Sequence, residues 1–227
     1  MTGKVKVLYA ETRQCDESKP PTKKSQNSMD GITKTIASEG WTAKEAQMSF
    51  FKRPIMNKQP MKTVSLFEVF CMVHERRAIV ETERLRTIND HDEARRYKGL
   101  SFDYITPSGV FSYCSDASLL KHSRVICMDL DGLDNVESVK QRLIDDPMFE
   151  TLLLFRSPSG NGLKWFVPID LSKCDHKTWF TAIRNYLMVR YGLSEKQVDP
   201  ACQNVSRACF LCYDPEAYLK TELYEHF

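Results

Sequence analysis

Two aspartates, Asp129 and Asp131, stand two residues apart at the end of the apolar run VICMDLDGL. In an extended strand the side chains alternate between faces, so both carboxylates point the same way. Such a pair repels itself, raises one pKa or recruits a cation, and its oxygens suit hard ions such as Mg²⁺ or Mn²⁺. A strand that ends in a turn explains the same residues, because Asp and Gly are common in turns. Other residues must decide between the two interpretations.

A second group of polar residues lies in the stretch SPSGNGLK at positions 157–164. A turn rich in Ser and Gly exposes backbone N–H groups and lets a phosphate approach closely, while a lysine adds a point charge. The stretch is not a Walker A loop, because Trp165 stands where Ser or Thr should bind the metal. A plain hairpin turn is the alternative. The candidate nucleotide-binding residues are Ser157, Ser159, Gly160, Gly162 and Lys164.

A third acid and an arginine follow further along the chain. Asp199, before Pro200, could add the third carboxylate of a two-metal centre, which activates a 3′-hydroxyl and stabilises a leaving pyrophosphate. Arg207 could hold a phosphate through two hydrogen bonds. Taken alone, Asp199 fits a turn and Arg207 fits a surface ion pair. The ordered layout of acid pair, Ser/Gly/Lys turn and acid therefore predicts a site for metal and nucleotide.

The composition sets limits on the type of protein. The 227 residues include 32 basic and 30 acidic side chains, so any nucleic-acid surface would have to be local. No run approaches the roughly 18 apolar residues of a membrane span, and the start MTGKVKVLYAETR lacks the apolar core of a signal peptide. We therefore expect a cytoplasmic protein with no membrane partner, whose eight cysteines are thiols rather than disulfides.

The elements that must position these residues fall into two parts of the chain. Residues 1–47 have little periodic apolar content, which predicts a flexible N-terminal arm with a short strand at 5–9. Residues 48–227 carry the patterns of a packed domain. Capping residues and helical spacing predict helices at 65–74, at 90–96 with an end at Gly99, at 135–144, and at 176–191 before Gly192.

Turn signals predict two hairpins between these helices. The first is in SFDYITPSGVFSYC, with its turn at TPSG, and the second joins the apolar runs on either side of the 157–162 turn. The stretch SRACFLCYDP is predicted to form a last strand. This order of elements predicts an α+β fold in which helices pack on a mainly antiparallel sheet.

The combined pattern resembles a known family. DLDG, SPSGNGLKWFV, and Asp199 with Arg207 before CFLCYDPEAY resemble the primase-like N-terminal domain attached to VirE-type helicases in Bacteroidetes mobile elements. The likeness extends upstream through MSFFKRPIMNKQP and RRYKGLSFDYITPSGVF. That domain is similar to the primase-polymerase branch of the archaeo-eukaryotic primase superfamily. The resemblance implies an RRM-like core and a role in DNA replication, with a nucleoside triphosphate, Mg²⁺ or Mn²⁺, a DNA template and a separately encoded helicase.

The resemblance also implies roles for individual residues. Asp129 and Asp131 would form the first metal-binding motif, the 157–164 turn would bind the nucleotide phosphates, and Asp199 would complete the catalytic acids. Superfamily primases usually place His where this chain has Lys164, which can hold a phosphate but cannot act as a neutral imidazole. A non-catalytic replication module that keeps the fold and binds nucleotide or nucleic acid is therefore the main alternative.

Three other interpretations of the sequence remain open. D-x-D-G also begins haloacid-dehalogenase-type phosphatases, although Leu133 stands where those carry Thr. A run of basic residues could line a template groove or form a solvated helix face. These are Arg76, Arg77, Arg84, Arg86, Arg95, Arg96 and Lys98. Five further residues are of the types that bind zinc, although a role in the core is favoured for the cysteines among them. They are Cys174, His176, Cys202, Cys209 and Cys212.

Overall fold

A computed structural model describes residues 40–224 of the chain. The helices are α1 (Leu66–His74), α2 (Ile79–Arg86), α3 (His91–Ser101), α4 (Val136–Ile144) and α5 (His176–Tyr191). The strands are β1 (Gln47–Phe51), β2 (Lys62–Ser65), β3 (Tyr104–Thr106), β4 (Gly109–Phe111), β5 (Leu119–His122), β6 (Val125–Leu130), β7 (Leu153–Arg156), β8 (Leu163–Pro168), β9 (Cys209–Phe210) and β10 (Tyr218–Leu219). Most of the predicted N-terminal arm, including the strand at 5–9, lies outside the described residues.

The strands form two four-stranded sheets and one separate pair. Sheet 1 has the order β2-β1-β3-β9, sheet 2 has the order β10-β7-β8-β6, and β4 pairs with β5. The pairings within both sheets are antiparallel. The predicted α+β class with antiparallel strands is confirmed, although two main sheets replace the one expected.

Sheet 2 is buried on both faces, as β6 shows. Val125 and Cys127 belong to the apolar core shared with sheet 1 and α1, whereas Ile126 and Met128 belong to the core shared with α4 and α5. A strand buried on both faces reads as a continuous apolar run, which explains why VICM shows no alternation. Asp129 follows Cys127 on the face toward sheet 1, so its carboxylate lies at the end of the core between the sheets.

Local signals at the helix ends explain most of the helices. Ser65 and Glu68 form the predicted capping box at the start of α1, and Gly192 ends α5 with a φ of 69°. The helix predicted to end at Gly99 continues instead to Ser101. Gly99 lies inside α3, where its carbonyl accepts a hydrogen bond from the Ile55 N–H at 2.7 Å. The sequence pattern does not predict this tertiary contact.

The hairpin predicted around TPSG is wrong. Both strands form, but β3 pairs with β1 and β9, whereas β4 pairs with β5. The connection between β5 and β6 is hydrogen-bonded to the turn predicted at TPSG. The Ser123 hydroxyl donates to the Pro107 carbonyl at 2.7 Å, and the Ser123 N–H donates to the Ser108 carbonyl at 2.8 Å. These bonds join the β5–β6 connection to the residues between β3 and β4.

The other two strand predictions, the second hairpin and the last strand, are confirmed in whole or in part. β7 and β8 form the predicted second hairpin, with Phe155 opposite Lys164. The last predicted strand shortens to Cys209–Phe210 at the edge of sheet 1. Among residues 40–224, no helix has the length and apolar character needed to cross a membrane.

A chain of hydrogen bonds through two histidines joins β5 to α5. The Arg124 N–H donates to His122 Nδ1 at 2.9 Å, His122 Nε2 lies 3.2 Å from His176 Nδ1, and His176 Nε2 lies 3.1 Å from the Cys202 carbonyl oxygen. Because that carbonyl can only accept, His176 donates from Nε2 and accepts at Nδ1, and His122 donates from Nε2. Both rings are therefore neutral, and a proton on either one would break the chain.

The histidine pair predicts a loss of stability in acid. Burial, the neighbouring His176 and Arg124 lower the pKa of His122 from 6.5 to about 4, and burial lowers the pKa of His176. The unfolded state then binds more protons between these values, so stability present above pH 6.5 is lost as the pH falls. The wild type is expected to lose about 1.5 kcal/mol of unfolding free energy from His122 between pH 6.5 and pH 5.

Urea unfolding at the two pH values tests this expectation. His122→Gln removes one titrating ring, so its unfolding free energy should change less over that interval than that of the wild type. An equal pH dependence in both proteins would contradict the assigned protonation states.

Candidate nucleotide-binding cleft

A small cleft opens between the ends of the two sheets. Three of the sequence-predicted site residues, Asp129, Lys164 and Arg207, line it. The other lining residues come from the β3–β4 turn, from β6 and from the segments around β9. They are Pro107, Ser108, Cys127, Cys202, Ala208 and Cys209. The fold thus brings an acid, a lysine and an arginine from distant parts of the sequence to one opening.

Lys164 and Asp129 form a buried ion pair on adjacent strands. They stand opposite each other in the β6–β8 register, and their side chains are 8% and 10% exposed. Burial disfavours the ammonium charge, but the surrounding groups, Asp129 foremost and Asp131 among them, together outweigh that effect and raise the pKa of Lys164. Lys164 therefore stays protonated. The second carboxylate oxygen, Asp129 Oδ1, is buried and finds no hydrogen-bond partner among the described residues.

A short segment extends sheet 2 on the other side of β6. Leu130 forms an antiparallel bridge with Val198, the Asp199 N–H donates to the Asp129 carbonyl at 3.0 Å, and the Asp131 N–H donates to the Gln197 carbonyl at 2.9 Å. Opposite residues of an antiparallel pair share a face, so Asp199 lies beside Asp129. Lys164, Asp129 and Asp199 thus form one row across β8, β6 and the bridged segment.

Both carboxylate oxygens of Asp199 already have protein partners. Oδ1 accepts from the Ala201 N–H at 2.9 Å, and Oδ2 forms an ion pair with Arg207. Burial works against the Arg207 charge, but Asp199, with smaller contributions from Cys202 and Asp129, outweighs it and raises the pKa of Arg207. Asp199 therefore holds Arg207 at the cleft, and its assignment as a third metal ligand remains a prediction.

Asp131 lies at the rim of the cleft on the same face as Asp129. Its side chain reaches solvent, yet enough protein surrounds it that partial burial, and then the charge of Asp129, raise its pKa. Asp199 adds to this increase, while Lys164 and Lys98 oppose it. The three acids are thus close enough to repel one another, and Asp131 is the most accessible of them.

The three-acid metal site that the sequence predicted does not appear as a ligand cluster among the described residues. Over positions 40–224, no group of three or more His, Cys, Asp or Glu side chains is arranged to hold a metal ion. Mg²⁺ commonly binds through one or two carboxylates, with substrate phosphates and water completing its shell. The unpartnered Asp129 Oδ1 and the accessible Asp131 carboxylate fit such a two-acid site.

The 157–162 turn closes tightly upon itself. The Ser157 N–H donates to the Gly162 carbonyl at 2.8 Å, and the Gly160 N–H donates to the Ser157 carbonyl at 2.9 Å with Gly160 at a φ of 84°. The turn therefore uses two of the N–H groups that the sequence had assigned to a phosphate. Ser157 Oγ, by contrast, is buried and lacks a partner in the described structure. Ser159 is exposed at the tip.

Two arginines bind carbonyl groups of this turn. Arg86 Nε donates to the Pro158 carbonyl at 3.3 Å, and Arg156 Nη1 donates to the Gly160 carbonyl at 2.8 Å. These two guanidinium groups, together with Lys164, place positive charge next to the turn. Arg86 appeared in the sequence only as part of a basic run, because its contact with the turn spans 72 positions.

Gly162 serves close packing between strands. A Cβ at this position would overlap the Leu130 carbonyl oxygen of β6 and would lie 3.1 Å from Ser157 Oγ. A glycine is therefore required by the approach of β8 to the end of β6. From the sequence, Gly162 was predicted to let a phosphate approach closely. The described contacts do not test that prediction.

Sequence reasoning missed several residues of the cleft. Lys98, on α3, interacts electrostatically with Asp131 and Lys164 but was assigned only to a basic run. The thiols of Cys127, Cys202 and Cys209 form part of the cleft wall. They are free and buried, in line with the favoured core role, and the zinc alternative gains no ligand cluster within the described range.

The fold and the cleft define an α+β domain with a charged site at the end of one sheet. Residues 98–219 match the family model described as BT4734-like, N-terminal domain, and this segment is more than half of the chain. The chain therefore belongs to that family, a Bacteroidetes-type domain in keeping with the resemblance in the sequence. The match begins at Lys98 and contains every candidate site residue. Neither the curated proteins nor the solved structures contain a match.

Proposed function

We propose that this domain binds a nucleoside triphosphate in the cleft and transfers nucleotidyl groups to a nucleic-acid end, as a primase- or polymerase-like replication protein of a mobile element. The observation that carries the proposal is the row of Lys164, Asp129 and Asp199 across β8, β6 and the bridged segment, with Asp131 on the same face. This row brings carboxylates for a metal ion together with Arg207, the partner of Asp199, as a cation for phosphate.

The balance of charge at the cleft supports a requirement for a divalent ion. Its acids are Asp129, Asp131 and Asp199, and its bases are Lys98, Lys164 and Arg207. A triphosphate would add several negative charges to this balanced site, which favours its entry together with a cation. Mg²⁺ or Mn²⁺ held by Asp129 and Asp131 would polarise the phosphates and lower the pKa of the attacking hydroxyl.

The other side chains then have distinct tasks. Arg207, fixed by Asp199, donates hydrogen bonds to a phosphate of the nucleotide. Ser157 Oγ, which has no partner among the described residues, is a further donor near the turn. Lys164 holds the Asp129 carboxylate in place through their ion pair. The DNA template and the separately encoded helicase are partners that follow from the family resemblance alone.

A non-catalytic module that binds nucleotide or nucleic acid is the second candidate. The specific observation in its favour is that Asp129 and Asp199 already have basic partners in Lys164 and Arg207. Among the described residues, moreover, there is no three-ligand metal group. Such a module would bind its ligand in the same cleft without extending a primer.

Calorimetric titration with a nucleoside triphosphate tests the proposed site. The wild type is expected to bind more tightly with Mn²⁺ or Mg²⁺ than with a chelator, and Arg207→Gln should weaken binding about tenfold by removing a charged hydrogen bond. Lys177→Gln is the control, because this exposed lysine is on α5, behind the opposite face of sheet 2. Absence of triphosphate binding with and without metal would show that the assigned site is wrong.

A further inference from the structure

We propose that Lys98 is a phosphate-binding residue of this cleft, an inference that rests on the proposed function. Sequence reasoning placed Lys98 only within a basic run, and it stands about thirty positions before the first acid of the site. The structure places it instead among the charged side chains at the cleft. It would act on the ligand directly, as a third cation beside Lys164 and Arg207.

The position of Lys98 is fixed by its neighbours on α3. Ala94 and Tyr97 pack against the core between the sheets, and the Gly99 carbonyl is held by the Ile55 N–H. Lys98 itself is half-buried, with Nζ 5.9 Å from the centroid of the Phe210 ring. Phe210 and the cleft-lining Cys209 form β9, so Lys98 lies beside the strand that borders the cleft, within electrostatic reach of Asp131 and Asp129.

Lys98 differs from the other two cations in having no acidic partner. Lys164 pairs with Asp129 and Arg207 pairs with Asp199. Within residues 40–224, by contrast, no carboxylate or carbonyl oxygen lies within ion-pair or hydrogen-bond reach of Lys98 Nζ. Phe210 offers only the weak attraction of an aromatic ring.

The surroundings of Lys98 favour an anionic ligand. Burial, and then the positive charge of Lys164, lower the pKa of Lys98, while Asp131 and Asp129 act in the opposite direction. A partly desolvated ammonium group beside other cations is unfavourable until an anion approaches it. A phosphate held near Asp131 by a divalent ion would supply that anion, either as part of a nucleoside triphosphate or as part of a nucleic-acid backbone.

The chain offers a close control in Lys58. Its Nζ also lies 5.9 Å from an aromatic centroid, that of Tyr104, and its side chain is also half-buried. It is not among the cleft-lining residues of the described structure, although the Tyr104 ring lies only 6.2 Å from that of Phe210. Lys98→Gln and Lys58→Gln therefore remove the same type of cation–aromatic contact from neighbouring rings, and Lys98 is the lysine that interacts electrostatically with the acids of the cleft.

The experiment measures two affinities of the full chain in the presence of Mn²⁺. One probe is a nucleoside triphosphate and the other is a single-stranded oligodeoxynucleotide. Lys98→Gln is expected to weaken binding of at least one probe about tenfold, whereas Lys58→Gln should leave both affinities unchanged. The probe affected identifies the source of the phosphate. Lys98→Arg should restore most of the lost affinity because it keeps the positive charge.

The dependence on pH separates binding from a merely structural role. Wild-type affinity should fall at a pH below the ordinary lysine range as Lys98 loses its proton, and this fall should be absent in Lys98→Arg. If Lys98→Gln keeps both affinities while Arg207→Gln weakens the triphosphate, the role of Lys98 is overturned and the proposed function stands. If the wild type binds neither probe, both proposals fail.

Discussion

Replacing Lys164 with Met is expected to lower the free energy of unfolding by about 3–5 kcal/mol, because Asp129 would be left as a buried charge without a partner. Both side chains of the pair are about nine-tenths buried, and the second oxygen of Asp129 has no other hydrogen bond among the described residues to compensate for the loss. Urea denaturation at neutral pH, followed by circular dichroism, measures the change.

An exposed ion pair provides the control for this substitution. Lys62 pairs with Glu68 across side chains that are 46% and 43% exposed, so Lys62→Met should cost less than about 1 kcal/mol. The double variant Asp129→Leu/Lys164→Met should recover much of the loss, since it leaves no buried charge. A cost for Lys164→Met as small as that for Lys62→Met would contradict the buried pair.

Gly162→Ala is expected to destabilise the protein by about 2–3 kcal/mol, since the new methyl group would overlap the Leu130 carbonyl oxygen. The overlap is with backbone, so relief requires β8 to move away from the end of β6. That movement would also displace Asp131 and the turn, and triphosphate affinity should decrease with stability. Thermal and urea unfolding, together with the calorimetric titration, measure the two effects.

Gly132→Ala separates this steric effect from the general cost of replacing a glycine. Gly132 has a φ of 60°, and a Cβ there would meet no atom within 4 Å. Its substitution should therefore cost only about 1 kcal/mol, through the left-handed backbone conformation. Equal costs at positions 132 and 162 would show that close strand packing is not what requires Gly162.

The sequence was most informative where the determining interactions are local. The capping box of Ser65 and Glu68, the left-handed Gly192 and the 157–162 hairpin each depend on residues that are close in the chain. The alternation rule likewise placed Asp129 and Asp131 on one face at the end of a strand. The α+β class followed from the order of these elements, without knowledge of how the strands pair.

Strand pairing over long distances was beyond the sequence pattern. The opposition of Asp129 and Lys164 depends on a register between β6 and β8, and the position of Asp199 depends on one bridge between Leu130 and Val198. The failed hairpin at TPSG has the same cause, because β3 pairs with the distant strands β1 and β9, and β4 pairs with β5. Lys98 reached the cleft only through the packing of α3. Spacing along the chain carries none of this information.

Nucleotidyl transfer is tested most directly by template-dependent incorporation of labelled nucleotides with Mn²⁺ or Mg²⁺. Asp131→Asn is the informative variant, because Asp131 is exposed and its loss should leave the fold intact; Asp134→Asn, a nearby exposed acid, is the control. We predict incorporation by the wild type and by Asp134→Asn, and only background incorporation by Asp131→Asn. A wild type that binds triphosphate and template yet incorporates no nucleotide would contradict the proposal and identify a binding module instead.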